Sequence, residues 1–401
     1  MTPDGRSRMD VDVAIVGGGP AGSATAMALA QLGIANVLVV EAGRYDALRI
    51  GESLPPGAIV PLQQLGVWNT FLDEGHETSL GGCAAWGADQ LGYNPSLFSA
   101  IGAGWHLDRR RFDAMLARTV AGRGIAVRSG TRLEACRRDD GDGFRLLLSG
   151  NGEASEVTAR FVVDASGARA ILARHLGAAR LIVDQLLCVA HFFERPGTGG
   201  FSKLTMVEAV EYGWWYAAKL PEGRVVVVLA SDPDIIKRER LLEQDAWLAR
   251  LARTAHIWQH VAGCGFVEEN RIVCAAPSFI LDATGGPGWL AVGDAAAAYD
   301  PISSQGICKA LADGIEAASA IAAYLDGNAA QLGERRAALA LRFDAYLKSR
   351  DFFYGLERRW PNASFWKKRR AQSVLPARPA APLPSGTGIG SARAAVHGHP
   401  A

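Results

Sequence analysis

An apolar run, Val11-Asp12-Val13-Ala14-Ile15-Val16, passes without a break into Gly17-Gly18-Gly19-Pro20-Ala21-Gly22 and then into an Ala-rich stretch. A buried strand that feeds G-x-G-x-x-G at the mouth of a helix has one well-understood use, the cradling of a dinucleotide. The first glycine permits the tight turn, the second lets backbone approach a pyrophosphate, and the third lets helix pack on strand, with the phosphate seated at the helix N-terminus. Gly17, Gly19, Pro20, Ala21 and Gly22 are therefore the expected cofactor-binding residues of this turn. A second apolar strand over residues 37–40 ends in Glu41, nineteen positions past Gly22, where a carboxylate can accept both ribose hydroxyls and would repel a 2′-phosphate.

The 401-residue sequence as a whole limits the alternatives. Its length is too great for one core and suits two intertwined domains. A formal net charge of +1 gives no reason to expect nucleic acid as a partner. The cysteines at 83, 136, 188, 264, 274 and 308 form no C-x-x-C pair, so they read as reduced, packed thiols and no metal is expected. Residues 13–40 carry no charge, long enough to raise a membrane span, but the glycines divide them into strand, loop, helix and strand. No apolar signal core precedes them, and a soluble cytoplasmic protein without a membrane partner is expected.

Along the chain, residues 1–10 read as a polar leader and 11–42 as the β-α-β cradle. Gly51-Glu52-Ser53-Leu54-Pro55-Pro56 resists assignment to helix or strand, because prolines remove donors and restrict their neighbours. Phe112, Leu116 and Val120 fall on one face of a helix over 109–122. Phe161-Val162-Val163-Asp164 reads as a short buried strand. Residues 181–231 are β-rich, 239–260 helical, and Trp289 to Asp294 returns to the strand-turn theme before Ala-rich helix over 306–325. A further helix spans 331–358, and the Pro-, Ala- and Gly-rich end is expected to be disordered.

Three motifs in order resemble class A flavoprotein monooxygenases of the p-hydroxybenzoate hydroxylase fold and their halogenase relatives. These are the cradle with Glu41, Val163-Asp164-Ala165-Ser166-Gly167, and Gly293-Asp294-Ala295-Ala296 followed by Asp300-Pro301 and Gly306-Ile307. The resemblance covers about 11–350 and implies an α/β fold: a Rossmann-like FAD-binding domain with an inserted β-sheet substrate domain and C-terminal helices. The expected FAD-binding domain is discontinuous, 11–75, 101–180 and 271–330. The substrate domain takes 76–100 and 181–270, the C-terminal helical region 331–370, and a disordered tail 371–401. FAD is the implied cofactor and NADH the expected reductant. By the same resemblance Asp164 belongs to the cofactor site, Asp294 meets the ribityl hydroxyls, Pro301 lies by the flavin ring, and the helix at Gly306 and Ile307 aims its N-terminal dipole at the ring, where anionic reduced flavin is stabilised. Arg109, within Trp105-His106-Leu107-Asp108-Arg109, matches the arginine that faces the pyrophosphate, with Arg44 a second candidate and a solvated helix start the alternative.

Halogenases of this family carry an N-terminal-half lysine and commonly W-x-W-x-I-P. Here no lysine precedes Lys203, and Trp86 stands near the lysine's expected place. The segments Gly51 to Pro56, Ala85-Trp86-Gly87, Gly104 to Asp108 and Asp300 to Gly306 look most like the flavoprotein maturases that oxidise protein tryptophan to build quinone cofactors. The resemblance implies oxygen transfer through a flavin C4a-hydroperoxide to an electron-rich ring, with a protein or peptide carrying the target tryptophan as partner. His106 can orient or deprotonate substrate or can simply bond to backbone. Trp86, Trp215, Tyr216 and Tyr299, with Trp105 and Trp214, can form an aromatic wall or can be core. His191 and the loop 195–200 are expected at the domain mouth. A small-molecule aromatic or indole hydroxylase, an FAD-dependent dehydrogenase or saturase, a halogenase, and a non-catalytic assembly factor stand as alternatives.

Overall fold

The computed structural model describes residues 8–95, 102–139, 143–150, 152–194 and 202–371. The loop 195–200 and all but the first residue of the expected disordered tail lie outside them. The first strand, Arg8–Val16, is buried on both faces over its last half and sits in the middle of an eight-stranded sheet. It pairs in parallel with Val37–Glu41 on one side and with the twelve-residue strand Glu153–Asp164 on the other. Continuous runs of valine and isoleucine are what a parallel strand covered on both faces requires. Ala126–Ser129 and Trp289–Ala291 extend the parallel order, and an antiparallel hairpin, Thr131–Arg138 with Phe144–Gly150, grows from Glu153–Asp164.

The helix Pro20–Gln31 follows the glycine turn and packs on the long helix Gly306–Leu325. Small residues permit that approach: a Cβ on Gly314 would stand 2.6 Å from the Ala21 carbonyl oxygen. Asp313, buried in the same helix, accepts from the Gly293 amide at 2.6 Å and pairs with buried Arg335 at 2.5 Å, which also donates to the Ala291 carbonyl at 3.2 Å. This pair fixes the Gly293-Asp294 turn against the helix Gly306–Leu325 and the helix Ala330–Leu356 that carries Arg335.

A second, seven-stranded sheet runs in the order Gly265–Ala275, Leu187–Glu194, Arg224–Ser231, Gly213–Lys219, Thr205–Val210, Gly81–Ala85 and Gly92–Pro95. One face is covered by the helices Pro233–Arg238, Gln244–Leu251 and Ile257–Val261, whose apolar residues, Trp247 among them, join Trp215 and Leu229 of the sheet in a core. The opposite face carries Trp214, Val228 and Cys188, and is closed further along by Tyr354, Phe365 and Trp366 from the C-terminal helices Ala330–Leu356 and Ser364–Arg370.

Several local expectations change. The first strand begins at Arg8, inside what reads as a polar leader, because Arg8 to Asp10 find partners at Glu156 to Thr158. Ser53–Leu54 pairs with Gly104–His106, so the proline-rich segment contains a short strand before Pro56–Ala58 and the helix Ile59–Gln64. The helical stretch at 239–260 is broken into separate helices by a turn after Leu251. Among the described residues no helix is long and apolar enough to cross a membrane.

Candidate functional site

One cavity of about 920 Å³ opens between the two sheets, and its lining begins at the glycine turn. Gly17 has φ +113°, and a Cβ there would lie 2.2 Å from the Ala165 carbonyl oxygen, so a side chain is excluded on both counts. Gly22 is constrained by space alone, its Cβ falling 1.9 Å from the Gly17 carbonyl oxygen where helix meets strand. Gly19 differs: a Cβ would meet nothing within 4 Å, and the residue faces the cavity. The turn thus has two glycines required by packing and one that leaves backbone bare toward open space, the division of labour a pyrophosphate cradle needs. Pro20 and Ala21 also line the cavity, and the helix presents its first-turn amides there without a side-chain cap.

Glu41 lines the same end. Its carboxylate accepts from the Gly18 amide at 2.8 Å and the Gly43 amide at 2.8 Å, so it organises the turn besides facing the cavity. Arg49 stands 3.5 Å from Glu41 and 3.3 Å from Asp113, and lines the cavity. Arg44 does not: it is exposed and lies over Gly130. Arg109 is held by the carbonyls of Ile50 and Gly51 at 3.0 and 3.2 Å and by Asp113 at 3.1 Å, with its edge toward the cavity. The arginine beside the cradle is therefore Arg49 in place of Arg44, and the sequence offers no sign of it, since a loop of unassigned shape separates it from Glu41.

The later motifs divide. Ser166 and Gly167 line the cavity, but Asp164 lies beneath them, fully buried. Its oxygens are taken by the Ser166 amide at 2.9 Å, the Ser166 hydroxyl at 2.6 Å and the Ala173 amide at 2.7 Å. Asp164 shapes the loop and does not reach the cavity, which corrects the expectation. Asp294 reaches it, 3.5 Å from Lys309, while Gly293, with φ +59°, packs against Ala21 behind it. Pro301, Gly306 and Ile307 line the wall at the N-terminus of the long helix. Asp300 is fully buried there, and burial first, then Asp184, pushes its pKa up while Arg350 opposes.

The far wall comes from the second sheet. Trp214, Tyr216, Val228, Cys188 and Cys274 all line it, and Tyr299 joins from the first domain, stacked on Tyr346 at 4.0 Å and 3°. Trp215 is on the wrong face: alternation along Gly213–Lys219 turns it into the core with Trp247, 4.9 Å between ring centroids. Trp214 takes the place expected of it. Its Nε1 donates to the Tyr354 hydroxyl at 3.1 Å, which donates to Asp300 at 2.7 Å, linking the aromatic wall to the Pro301 turn. Trp86 is also outside the cavity, donating to the Phe353 carbonyl at 2.7 Å and packed on Tyr354 and Trp366. His106 is fully buried, with Nε2 2.8 Å from the Thr205 hydroxyl, and burial pushes its pKa down to about 4. Its strand pairs with Ser53–Leu54, and it does not line the cavity. His191 is buried against Trp247 and does not line the cavity.

Glu52 is the residue whose role motif reading passes over. It lines the cavity at 3% exposure, and burial pushes its pKa above the ordinary glutamate range. Its signal in the sequence is the segment Gly51 to Pro56, which contributes to the resemblance to the maturases but gives the carboxylate between Gly51 and the prolines no role of its own.

Residues 10–334 match the FAD binding domain family. The chain is 31% identical over 370 residues to LodB of Marinomonas mediterranea, named as an FAD-dependent oxidoreductase, covering 91% of this chain and 98% of that protein. Among solved structures, the flavin-dependent halogenase CmlS superposes with TM-score 0.80 at 26% identity, over 90% of this chain and 68% of that one. The peptidyl tryptophan dihydroxylase QhpG, essential for tryptophylquinone cofactor biogenesis, superposes with TM-score 0.71 at 27% identity, over 92% and 80%.

Proposed function

Since the chain belongs to the FAD-binding-domain flavoproteins, in the halogenase-like branch of the class A monooxygenases, we propose that it hydroxylates an electron-rich aromatic ring, the tryptophan side chain of a protein partner, using FAD, dioxygen and NADH. The observation that carries this reading is the continuity of one cavity from the glycine turn to the apolar wall of Trp214, Tyr216 and Val228. Likeness to a peptidyl tryptophan dihydroxylase supports the choice of ring and of a protein-borne substrate.

In this reading Gly17, Gly19, Pro20 and Ala21 hold the pyrophosphate, Glu41 the adenosine ribose, and Arg49 and Arg109 balance the phosphate charge. Asp294 would meet the ribityl hydroxyls, and the N-terminus of Gly306–Leu325 would favour negative charge on the reduced ring system. Bound FAD, once reduced by NADH, supplies an electrophilic oxygen from dioxygen. The protein's own task is to orient the accepting ring and to keep water away from it. Trp214 offers a fixed face for stacking, held through Tyr354 and Asp300.

Halogenation is less well supported. Among the described residues lining the cavity the long-chain cations are all arginines, and an arginine does not substitute for a titratable amine. Reduced flavin, dioxygen, bromide and indole or tryptophan, incubated with the enzyme, should give hydroxylated product or none and no brominated ring by mass spectrometry. Bromination at an ordinary turnover rate would replace this reading with that of a halogenase.

A further inference from the structure

We propose that Glu52 recognises the ring N–H of the substrate and receives that proton as oxygen bonds to the ring, which makes an N–H heteroaromatic ring the ligand of the far wall. The inference rests on the reading above and adds the group that selects the ring.

Glu52 is fixed in place. Its carbonyl accepts from the Leu107 amide at 2.8 Å, and the strand Ser53–Leu54 follows immediately. The carboxyl reaches the cavity beside the Tyr216 hydroxyl, which is itself fully buried between Glu52 and Ser53 and makes no hydrogen bond of ordinary geometry. Around this pair the wall is Trp214, Val228, Cys188 and Cys274, the two cysteines being cross-strand neighbours. The nearby cation is Arg109, whose guanidinium is already engaged by two backbone carbonyls and Asp113.

A carboxyl in such a setting is costly to charge, and the Tyr216 hydroxyl, the Glu52 and Gly51 amides and Arg109 offset that cost only in part, so a further donor is favoured. Burial favours its neutral form, whereas a donated N–H favours the anion. Indole fits this wall: it has one donor in the ring plane, and every other edge and both faces are apolar.

The same contact serves the chemistry. As the ring carbon bonds to the electrophilic oxygen, the nitrogen lone pair moves into the ring and the N–H proton passes to the Glu52 carboxylate. The ring then loses the proton from the oxygenated carbon to solvent, aromaticity returns, and Glu52 gives its proton back to nitrogen. The sum is a C–H bond, one dioxygen, two electrons from the nicotinamide and two protons going to C–OH and one water.

The test uses the holoenzyme with oxidised FAD, where binding is read without turnover. The probes are 3-methylindole and 3-methylbenzothiophene, in which sulfur replaces N–H. The wild type should bind the indole at least roughly tenfold more tightly, as expected for a hydrogen bond to a charged group. Glu52→Leu should retain FAD and benzothiophene binding and lose the preference. Glu52→Gln, which keeps an acceptor but cannot take up the proton, should recover part of the preference while kcat stays low. No preference in the wild type, or the same preference in Glu52→Leu, overturns the assignment. ¹⁸O incorporation by the wild type, followed separately, distinguishes the two failures: if tryptophan gains oxygen while Glu52→Leu still prefers the indole, only the role of Glu52 falls.

Discussion

Glu41 illustrates how one side chain can serve both scaffold and ligand. With both oxygens on the amides of Gly18 and Gly43, it sets the backbone of the turn before any ribose arrives. Glu41→Ala should therefore weaken FAD binding by about 1–3 kcal/mol, the cost of losing a charged acceptor, as read from fluorescence titration of the apoprotein. Unchanged affinity would remove Glu41 from the cofactor site. Glu52 makes a different prediction. Its folded pKa lies above the unfolded one, so it favours the fold fully below the unfolded value and loses that contribution as pH rises through the folded value. Glu52→Gln removes the cost of charging a buried group, and its melting temperature relative to wild type should climb as pH increases above the ordinary glutamate range. A difference independent of pH would show that Glu52 charges without penalty. Glycines and Glu41 were readable because their spacing reflects covalent and steric necessity. Glu52, Arg49 and the buried pair Asp313–Arg335 were not, since each acquires its meaning from a partner distant in sequence.

Strand Gly213–Lys219 carries two opposite roles on alternate residues. Trp214 and Tyr216 face the cavity, and Trp215 fills the core beneath the helices. Trp215→Ala should cost about 3–5 kcal/mol in denaturant unfolding, as for other buried aromatic truncations. Trp214→Phe should leave stability and FAD content nearly intact and slow oxidation of the ring, because it removes the hydrogen bond to Tyr354 that fixes the wall. The reverse pattern would exchange the two faces. This assignment could not be made from the pattern alone. Neighbouring Arg224–Ser231 reads Val-Val-Val-Val-Leu-Ala, buried on both faces, and such a run does not say which face meets a ligand. By contrast, the helix Arg109–Gly122 follows its apolar spacing, and Asp108 caps it by accepting from the amides of Arg110 and Arg111.

For the molecule as a whole, the two sheets supply different halves of one cavity, and the helix Ala330–Leu356 joins them: Arg335 holds the Gly293 turn at one end and Tyr354 holds Trp214 and Asp300 at the other. The cradle and the α/β class were legible because they rest on local spacing. The junction was not, because it depends on a helix far along the chain whose polar residues look like an ordinary solvated face. The proposed reaction requires that this junction admit a tryptophan still attached to a polypeptide. Intact-protein and peptide mass spectrometry should be applied to a genomically neighbouring protein after incubation with the FAD-loaded enzyme, NADH and ¹⁸O₂. One or two ¹⁸O atoms on a tryptophan of that protein, with free tryptophan a poor substrate, is the expected result. No label on any such protein, together with efficient hydroxylation of a free small aromatic, would contradict it.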